Sequence, residues 1–387
     1  MPDYFSGVVQ PGSPAELAEA LGWATARGQT IELGGHFSKR RMGGPAAQAN
    51  VRISTAAMSR VRQYEPRDLT VSVEAGLSYC ELSRVLAEHR QMIPLDPPFS
   101  DTATIGGMLA ANTNGPRRRL YGTARDLVIG MQFVTAEGKL IESGGMVVKN
   151  VAGLDMAKLM IGSFGTLAAI AVVNFKVIPQ PPAERTFQFS FGRVEEAAAA
   201  RNAILASPLD PAAIDLLNPA ALEAESPAWV LAVRAGGNEA AMARYERELA
   251  ALGGVAVPAG RDAGFWRAIQ EFTPRYLDTH ADGTVVRVPC KLEEVPAVMR
   301  TFPGPAVARA GSGVCYGYFE DAGEAGRFAG EAAHGHAGTV IEFAPEERKE
   351  GLEMWPAPGP NLEFMRRIKQ MFDPQNLLNR GRLYGRI

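Results

Sequence analysis

Residues 31–44 read IELGGHFSKRRMGG. An apolar run ends in two glycines, and a histidine, a serine and three basic residues follow before the next glycine pair. A strand that delivers such a turn suits an anion: glycine lets backbone amides converge, and the basic side chains add charge. Two phosphate-binding loops are excluded by spacing. The stretch lacks the glycines of G-x-G-x-x-G, and G-x-x-x-x-G-K-[ST] is absent from the chain, since Gly138-Lys139 is followed by Leu140. If this turn binds phosphate, it belongs to another class.

Working outward, Ser13-Pro14-Ala15-Glu16 predicts a helix start, with serine as cap, proline at the first helical position and glutamate placed to close a capping box. Leu17, Ala20, Leu21 and Ala24 form its apolar face and Gly28 ends it, so the quoted strand completes a strand–helix–strand unit. LTVSVEAG (69–76) alternates as a half-buried strand, and Ser78-Tyr79-Cys80-Glu81 opens a helix with Leu82, Val85 and Leu86 inward. LVIGMQFVTAEGKLIES (127–143) reads as a hairpin turning at Ala136-Glu137-Gly138.

At Pro179-Gln180-Pro181-Pro182 the pattern breaks, which places a domain boundary between 1–180 and 181–387. Beyond it, strands are expected at 186–191, 229–236, 285–290, 314–319 and 339–343. Helices are expected at 194–205, 239–252 and 323–333. Strands and helices at these spacings predict helices packed on one face of a sheet, a ferredoxin-like α+β domain.

The 387 residues are 46% hydrophobic and 21% charged, the composition of a globular protein with sizeable cores. A formal net charge of −2 implies no general attraction to nucleic acid or to an anionic membrane. Cys80, Cys290 and Cys315 are too far apart in sequence for an iron–sulfur or zinc site, and are expected to be inert thiols in a reducing cytoplasm. No basic segment with an apolar core opens the chain, so no export signal is expected. The least polar run, 159–173, is short for a membrane span and is broken by Gly162-Ser163-Phe164-Gly165-Thr166.

The glycine clusters all precede residue 180: GGHFS (34–38), TIGGMLAANTNG (104–115), YGTARDLVIG (121–130), VVKNVAGLDMAKL (147–159) and GSFGTLAAIAVV (162–173). Gly106-Gly107, opening a helix, would offer N-terminal amides to a phosphate. In order and wording these clusters resemble the FAD-binding domain of the vanillyl-alcohol oxidase and p-cresol methylhydroxylase type, shared with FAD-linked 2-hydroxyacid dehydrogenases. Within that superfamily four phrases are similar to the E subunits of bacterial glycolate oxidases (glycolate dehydrogenases). They are PLDPPFSDTATIGGMLA, GPRRRLYGTARDLVIG, GGMVVKNVAGLDMAKLMIGSFGTLAAI and IKQMFDPQNLLNRGRLY. The likeness is dense over about 30–179, returns at 366–384, and is weak between.

The resemblance implies a two-subdomain fold with FAD between the subdomains, followed by a C-terminal FAD-linked oxidase domain whose residues 366–387 return toward the first. It implies cofactor contacts from Gly34, Gly35, His36, Phe37, Ser38, Pro98, Thr104, Gly106, Gly107, Gly122, Gly165 and Ile170, with the pyrophosphate as the anion of the opening turn. It also implies partners: a D-like flavoprotein chain carrying the hydroxyacid site and an F-like iron–sulfur chain passing electrons on. Through them the chain would sit in the cytoplasm, peripherally on the inner face of the cell membrane.

Two departures stand out. The family's asparagine-proline-glycine is Asn379-Arg380-Gly381 here, and the loss of proline frees φ and restores a donor. The relatives' H-x-G-D-G-N-x-H phrase, where metal and substrate hydroxyl meet, is reduced to AHGHAGTVIEF, with His334 and His336 alone, so no metal site is expected. His89 and His280 read as structural. Arg117-Arg118-Arg119 is either a solvated face or an anion- or partner-facing run, and Lys149-Asn150 divides the same way. His36 stands where some relatives bond covalently to the flavin, but noncovalent FAD is the expectation. No catalytic base can be named. Two alternatives stay open: a self-sufficient 2-hydroxyacid (D-lactate-type) dehydrogenase, and a structural subunit with a vestigial flavin site.

Overall fold

The computed structural model describes residues 7–146, 154–222, 227–385 and 387. Ser13 opens the helix Pro14–Ala26, its hydroxyl accepting the Glu16 amide at 3.2 Å. The Glu16 carboxylate takes the Gly12 amide at 2.9 Å, one residue upstream of the capping-box bond. Leu17, Ala20, Leu21 and Ala24 are buried, and Gly28, at φ +63°, turns the chain into the strand Ile31–Gly34. That strand is an edge of a three-stranded parallel sheet whose centre is Val51–Ser54 and whose other edge is Val8–Val9.

A second, antiparallel sheet runs in the order Val61–Glu65, Thr70–Glu74, Ala168–Lys176, Val128–Thr135, Leu140–Gly144. Alternation predicted one solvated face for Thr70–Glu74, yet every residue of it is buried. Val71 and Val73 pack with Leu82, Leu86, Ile105 and Met108, while Ala171 and Val172 of the next strand pack with Leu17 and Leu21. Both faces of this sheet are therefore covered, and Glu74 is accommodated by accepting the Arg60 amide at 3.0 Å.

The second half is one antiparallel eight-stranded sheet made of two β-α-β-β-α-β units. The first comprises Ala183–Phe191, the helix Val194–Ala206, Ala213–Leu217, Trp229–Gly237, the helix Glu239–Ala251 and Val255–Ala256. The second comprises Thr284–Pro289, the helix Val295–Thr301, Ala306–Arg309, Val314–Phe319, the helix Ala322–Gly335 and Val340–Phe343. Ala213–Leu217 pairs with Ala306–Arg309 and joins them. The ferredoxin-like expectation is met twice; the sequence reading passed over the two strands at the join, the strand Val255–Ala256 and the helix Val295–Thr301. The four helices cover one face. The opposite face carries Val285, Val307, Tyr318 and Phe343, and meets Met42, Phe99 and Phe164 of the first half.

After the helix Asn361–Phe372 the tail returns to the edge strand: Ile31 N donates to Leu377 O at 2.8 Å and Asn379 N to Ile31 O at 3.0 Å. An otherwise open sheet edge is thereby paired. Buried Lys369 holds the turn, donating to Asp373 at 2.6 Å, Thr166 O at 2.7 Å and Leu378 O at 3.1 Å. Among the described residues no helix is long and apolar enough to cross a membrane.

Candidate functional site

The two glycines of GGHFS serve different neighbours. A Cβ on Gly34 would lie 2.6 Å from the Phe37 ring, which folds back over it with φ +54°, and one on Gly35 would lie 2.2 Å from Thr104 Oγ1. The turn is held in this shape by Asn379, whose side chain accepts from Leu33 N at 2.7 Å and donates to Leu33 O at 3.0 Å and Phe164 O at 2.7 Å. Left over are the amides of Gly35, His36, Phe37, Ser38 and Lys39, which make no hydrogen bond among the described residues. A run of free amides at a strand end, in a turn containing left-handed backbone, is an anion nest.

The helix Ile105–Ala111 does not play the part its glycines suggested. Ile105 N is taken by Leu77 O and Gly106 N by Ala75 O, both at 2.8 Å, and Gly107 N by Thr104 Oγ1 at 3.2 Å. Its first-turn amides are thus satisfied within the chain. Gly106 instead lets the helix approach Ala75, which a Cβ would meet at 2.9 Å, while Gly107 faces open space apart from Thr104.

The turn and this helix line a cavity of about 110 Å³. Gly34, Gly35, His36, Phe37, Ser38, Thr104, Gly106, Gly107, Gly165 and Ile170 all border it. Three cations absent from the expected contacts, Lys39, Arg40 and Arg382, border it too. Burial pushes the Lys39 ammonium down to about 8, with Glu271 pulling the other way. Arg382 donates to Lys39 O at 3.2 Å, and its buried Nε has no partner. Lys39 and Arg40 were legible in the quoted stretch; Arg382, distant in sequence, gave no signal beyond the tail phrase.

Pro98 lines a second cavity, of about 330 Å³, between the first half and the eight-stranded sheet. Ala111 and Phe164 border both cavities. Gly122 borders neither: its φ of +79° ends the short helix Arg118–Tyr121 where a Cβ would meet the Asp126 carboxylate at 2.6 Å. The arginine run divides three ways. Arg117 is neither solvated nor partner-facing; its Nε grips Asp96 at 2.8 and 3.0 Å inside the chain. Arg119 binds Asp210 at 2.8 Å, and Arg118 lines the second cavity. Lys149-Asn150 lies outside the described residues.

His36 Nδ1 is 3.0 Å from Thr102 O. His280 stacks on Tyr276, His89 lies edge-on to Tyr64, and His336 lies 3.8 Å from Glu294. Among the described residues no group of His, Cys, Asp or Glu is arranged to hold a metal. Cys290 and Cys315, remote in sequence, have sulfurs 3.9 Å apart because their strands are paired.

Residues 5–144 match the FAD binding domain family, and residues 353–383 match the C-terminal domain of FAD linked oxidases. The free-amide turn lies within the first match and its Asn379 clamp within the second. The protein is a flavin-dependent oxidoreductase acting on CH–OH groups, and its cofactor is FAD. Over 372 residues it is 28% identical to glycolate oxidase subunit GlcE of Escherichia coli, covering 96% of this chain and 97% of that protein. Over 161 residues it is 32% identical to glycolate oxidase subunit GlcD of Bacillus subtilis, which is 42% of this chain and 34% of the relative. In fold alone it is similar to 4-ethylphenol oxidase from Gulosibacter chungangensis. The TM-score is 0.73 over 100% of this chain and 91% of that one, at 15% identity.

Proposed function

We propose that this protein is the FAD-binding subunit of a glycolate oxidase, acting with a D-like flavoprotein chain and an F-like iron–sulfur chain. The end-to-end similarity to GlcE carries the reading. In it, residues 1–180 form the FAD-binding domain and 181–387 the C-terminal domain, and the complex rests peripherally on the inner face of the cell membrane through the partners. FAD, when bound, supplies a two-electron acceptor for the hydride from the α-carbon of the hydroxyacid. The residues present fit that cofactor. The free amides of 35–39 and the orphaned Arg382 Nε call for an acceptor-rich anion, and Lys39 and Arg40 stand beside them. Their work is to bind and orient the pyrophosphate, with Gly107 leaving the cavity clear. His36 is engaged with Thr102 O at 3.0 Å, and the cofactor is held noncovalently.

The test is to purify the chain alone and record its absorbance. Flavin bands at near one FAD per chain are expected, and a colourless, folded chain would support a vestigial site instead.

A further inference from the structure

The helix-covered face of the eight-stranded sheet, opposite the face that meets the first half, holds a buried cation without a carboxylate. Arg201, on the helix Val194–Ala206, is 1% exposed. Its side chain's only hydrogen bonds among the described residues run to Oδ1 of its neighbour Asn202, at 2.8 and 3.1 Å. Burial pushes the guanidinium down, and the groups acting against burial are the thiols of Cys290 and Cys315. A buried charge calls for an opposite one, and the acids within reach here are sulfurs.

Strand register brings those sulfurs together. Val288 faces Cys315 and the Cys290 amide donates to Gly313 O at 2.9 Å, so the cysteines are diagonal neighbours on one face. Their Sγ atoms are 3.9 Å apart. The two thiols differ in access and in proton affinity. Cys315 is fully buried, whereas Cys290 is partly exposed. The hydrogen bond from Cys315 holds the Cys290 thiol below its ordinary value; Arg201 acts the same way, while burial and Glu294 (3.8 Å from His336) oppose it. The same bond, and then burial, raise Cys315 well above the ordinary value, so the shared proton stays there. An accessible, more easily ionised sulfur beside a buried, protonated one is the division between an attacking and a resolving cysteine.

We infer that Cys290 and Cys315 form a peroxide-reactive pair, with Arg201 as the counter-charge of the attacking thiolate. The Cys290 sulfur takes one oxygen of hydrogen peroxide: an S–O bond forms, the O–O bond breaks, and hydroxide leaves to be protonated to water. Cys290 is then a sulfenic acid. The Cys315 sulfur attacks the Cys290 sulfur, the S–O bond breaks, and the departing hydroxide carries off the Cys315 proton as a second water. The two thiols lose two electrons and two protons, and the peroxide is reduced. Closing the sulfurs from 3.9 Å to about 2 Å asks for less movement than a sulfur makes when χ1 changes rotamer. The inference is independent of the function proposed above, since neither cysteine lines either cavity.

The experiment treats the purified chain with a small excess of hydrogen peroxide, quenches with catalase, and counts thiols with dithionitrobenzoate after denaturation. The count should fall from three to one, the intact mass should drop by two hydrogens, and dithiothreitol should reverse both. Cys315→Ser should stop at a sulfenic acid on Cys290 that dimedone traps, and Cys290→Ser should keep both remaining thiols. Arg201→Met should slow the reaction about tenfold near neutral pH and move the inflection of rate against pH upward, because less of Cys290 is then thiolate. Arg201→Lys, which keeps the charge, should restore both. Survival of all three thiols in the wild type overturns the inference, as does oxidation of Cys80 in place of the pair. An unchanged rate and inflection in Arg201→Met also overturns it, since the arginine would then not be the counter-charge.

Discussion

Asn379 ties together three segments that are remote in sequence: the strand end at Leu33, the left-handed turn at Phe164 and the C-terminal tail. Replacing it with alanine leaves one amide and two carbonyls without their partner, so Asn379→Ala should lower stability by about 1–3 kcal/mol and reduce flavin content. Thermal denaturation and absorbance of the purified variant check both; an unchanged melting curve would deny Asn379 this role. Gly107 is the converse case, since its Cα looks into free space beside the cavity. Gly107→Asp should stay folded but lose FAD, because its carboxylate would repel the pyrophosphate in a confined site. Full flavin content in that variant would mean the phosphates lie elsewhere. At His36 we expect acid precipitation to release all flavin to the supernatant. Flavin that stays with the wild-type chain but leaves His36→Ala would mean a covalent bond.

Among the elements, the turn 35–39 and the helix Ile105–Ala111 exchange the roles their sequences suggest. The turn keeps its amides free, while the helix spends its own on Leu77, Ala75 and Thr104. The turn is also gripped from the C-terminal half. Lys349, fully buried in the 3-10 segment Glu346–Gly351, donates to Arg40 O at 2.8 Å and to Glu346 at 2.9 Å. Burial first, and then Arg382, pushes its ammonium down to about 8. A cation depressed when folded costs stability below that value. Between about 8 and the unfolded value of about 10.4 the unfolded chain binds the proton that the folded chain has released, so stability from this group rises with pH. The slope is at most about 1.4 kcal/mol per pH unit. Urea denaturation at about pH 7.5 and about pH 9.5 should give a steeper gain for the wild type than for Lys349→Met, and equal gains would show that the lysine does not titrate there.

For the whole molecule, the two β-α-β-β-α-β units place one sheet face against the FAD-binding half, and the second cavity lies between them. That cavity has cations, a phenol and the carboxylate of Glu342, 3.6 Å from Arg287, but no histidine. The relatives' H-x-G-D-G-N-x-H phrase, where metal and substrate hydroxyl meet, is reduced here to His334 and His336. We therefore expect the isolated chain to give glycolate-dependent dye reduction near background, and co-expression with a D-like chain to restore it. Robust turnover by the isolated, metal-free chain would sink this division of labour and favour a self-sufficient dehydrogenase.

Local chemistry was legible in the letters. Ser13-Pro14 capped its helix, GGHFS ended its strand in a turn, and the alternating phenylalanines of 186–191 lay in a strand, because caps, glycine turns and periodicity act over a few residues. The strands Ala213–Leu217 and Ala306–Arg309 were missed because each is short and central, with its pairing partners far away in sequence. Which of three adjacent arginines meets Asp96, Asp210 or a cavity depends on how two halves of the chain pack, and no spacing encodes it. Arg382 and Asn379 joined the site only through the returning tail. The sequence by itself determined the locally coded elements and the glycine turn that ends the strand Ile31–Gly34. Tertiary structure alone decided which amides stay free and which charges stay unpaired, because a hydrogen-bonding group is spent or left over only once the whole chain has closed around it.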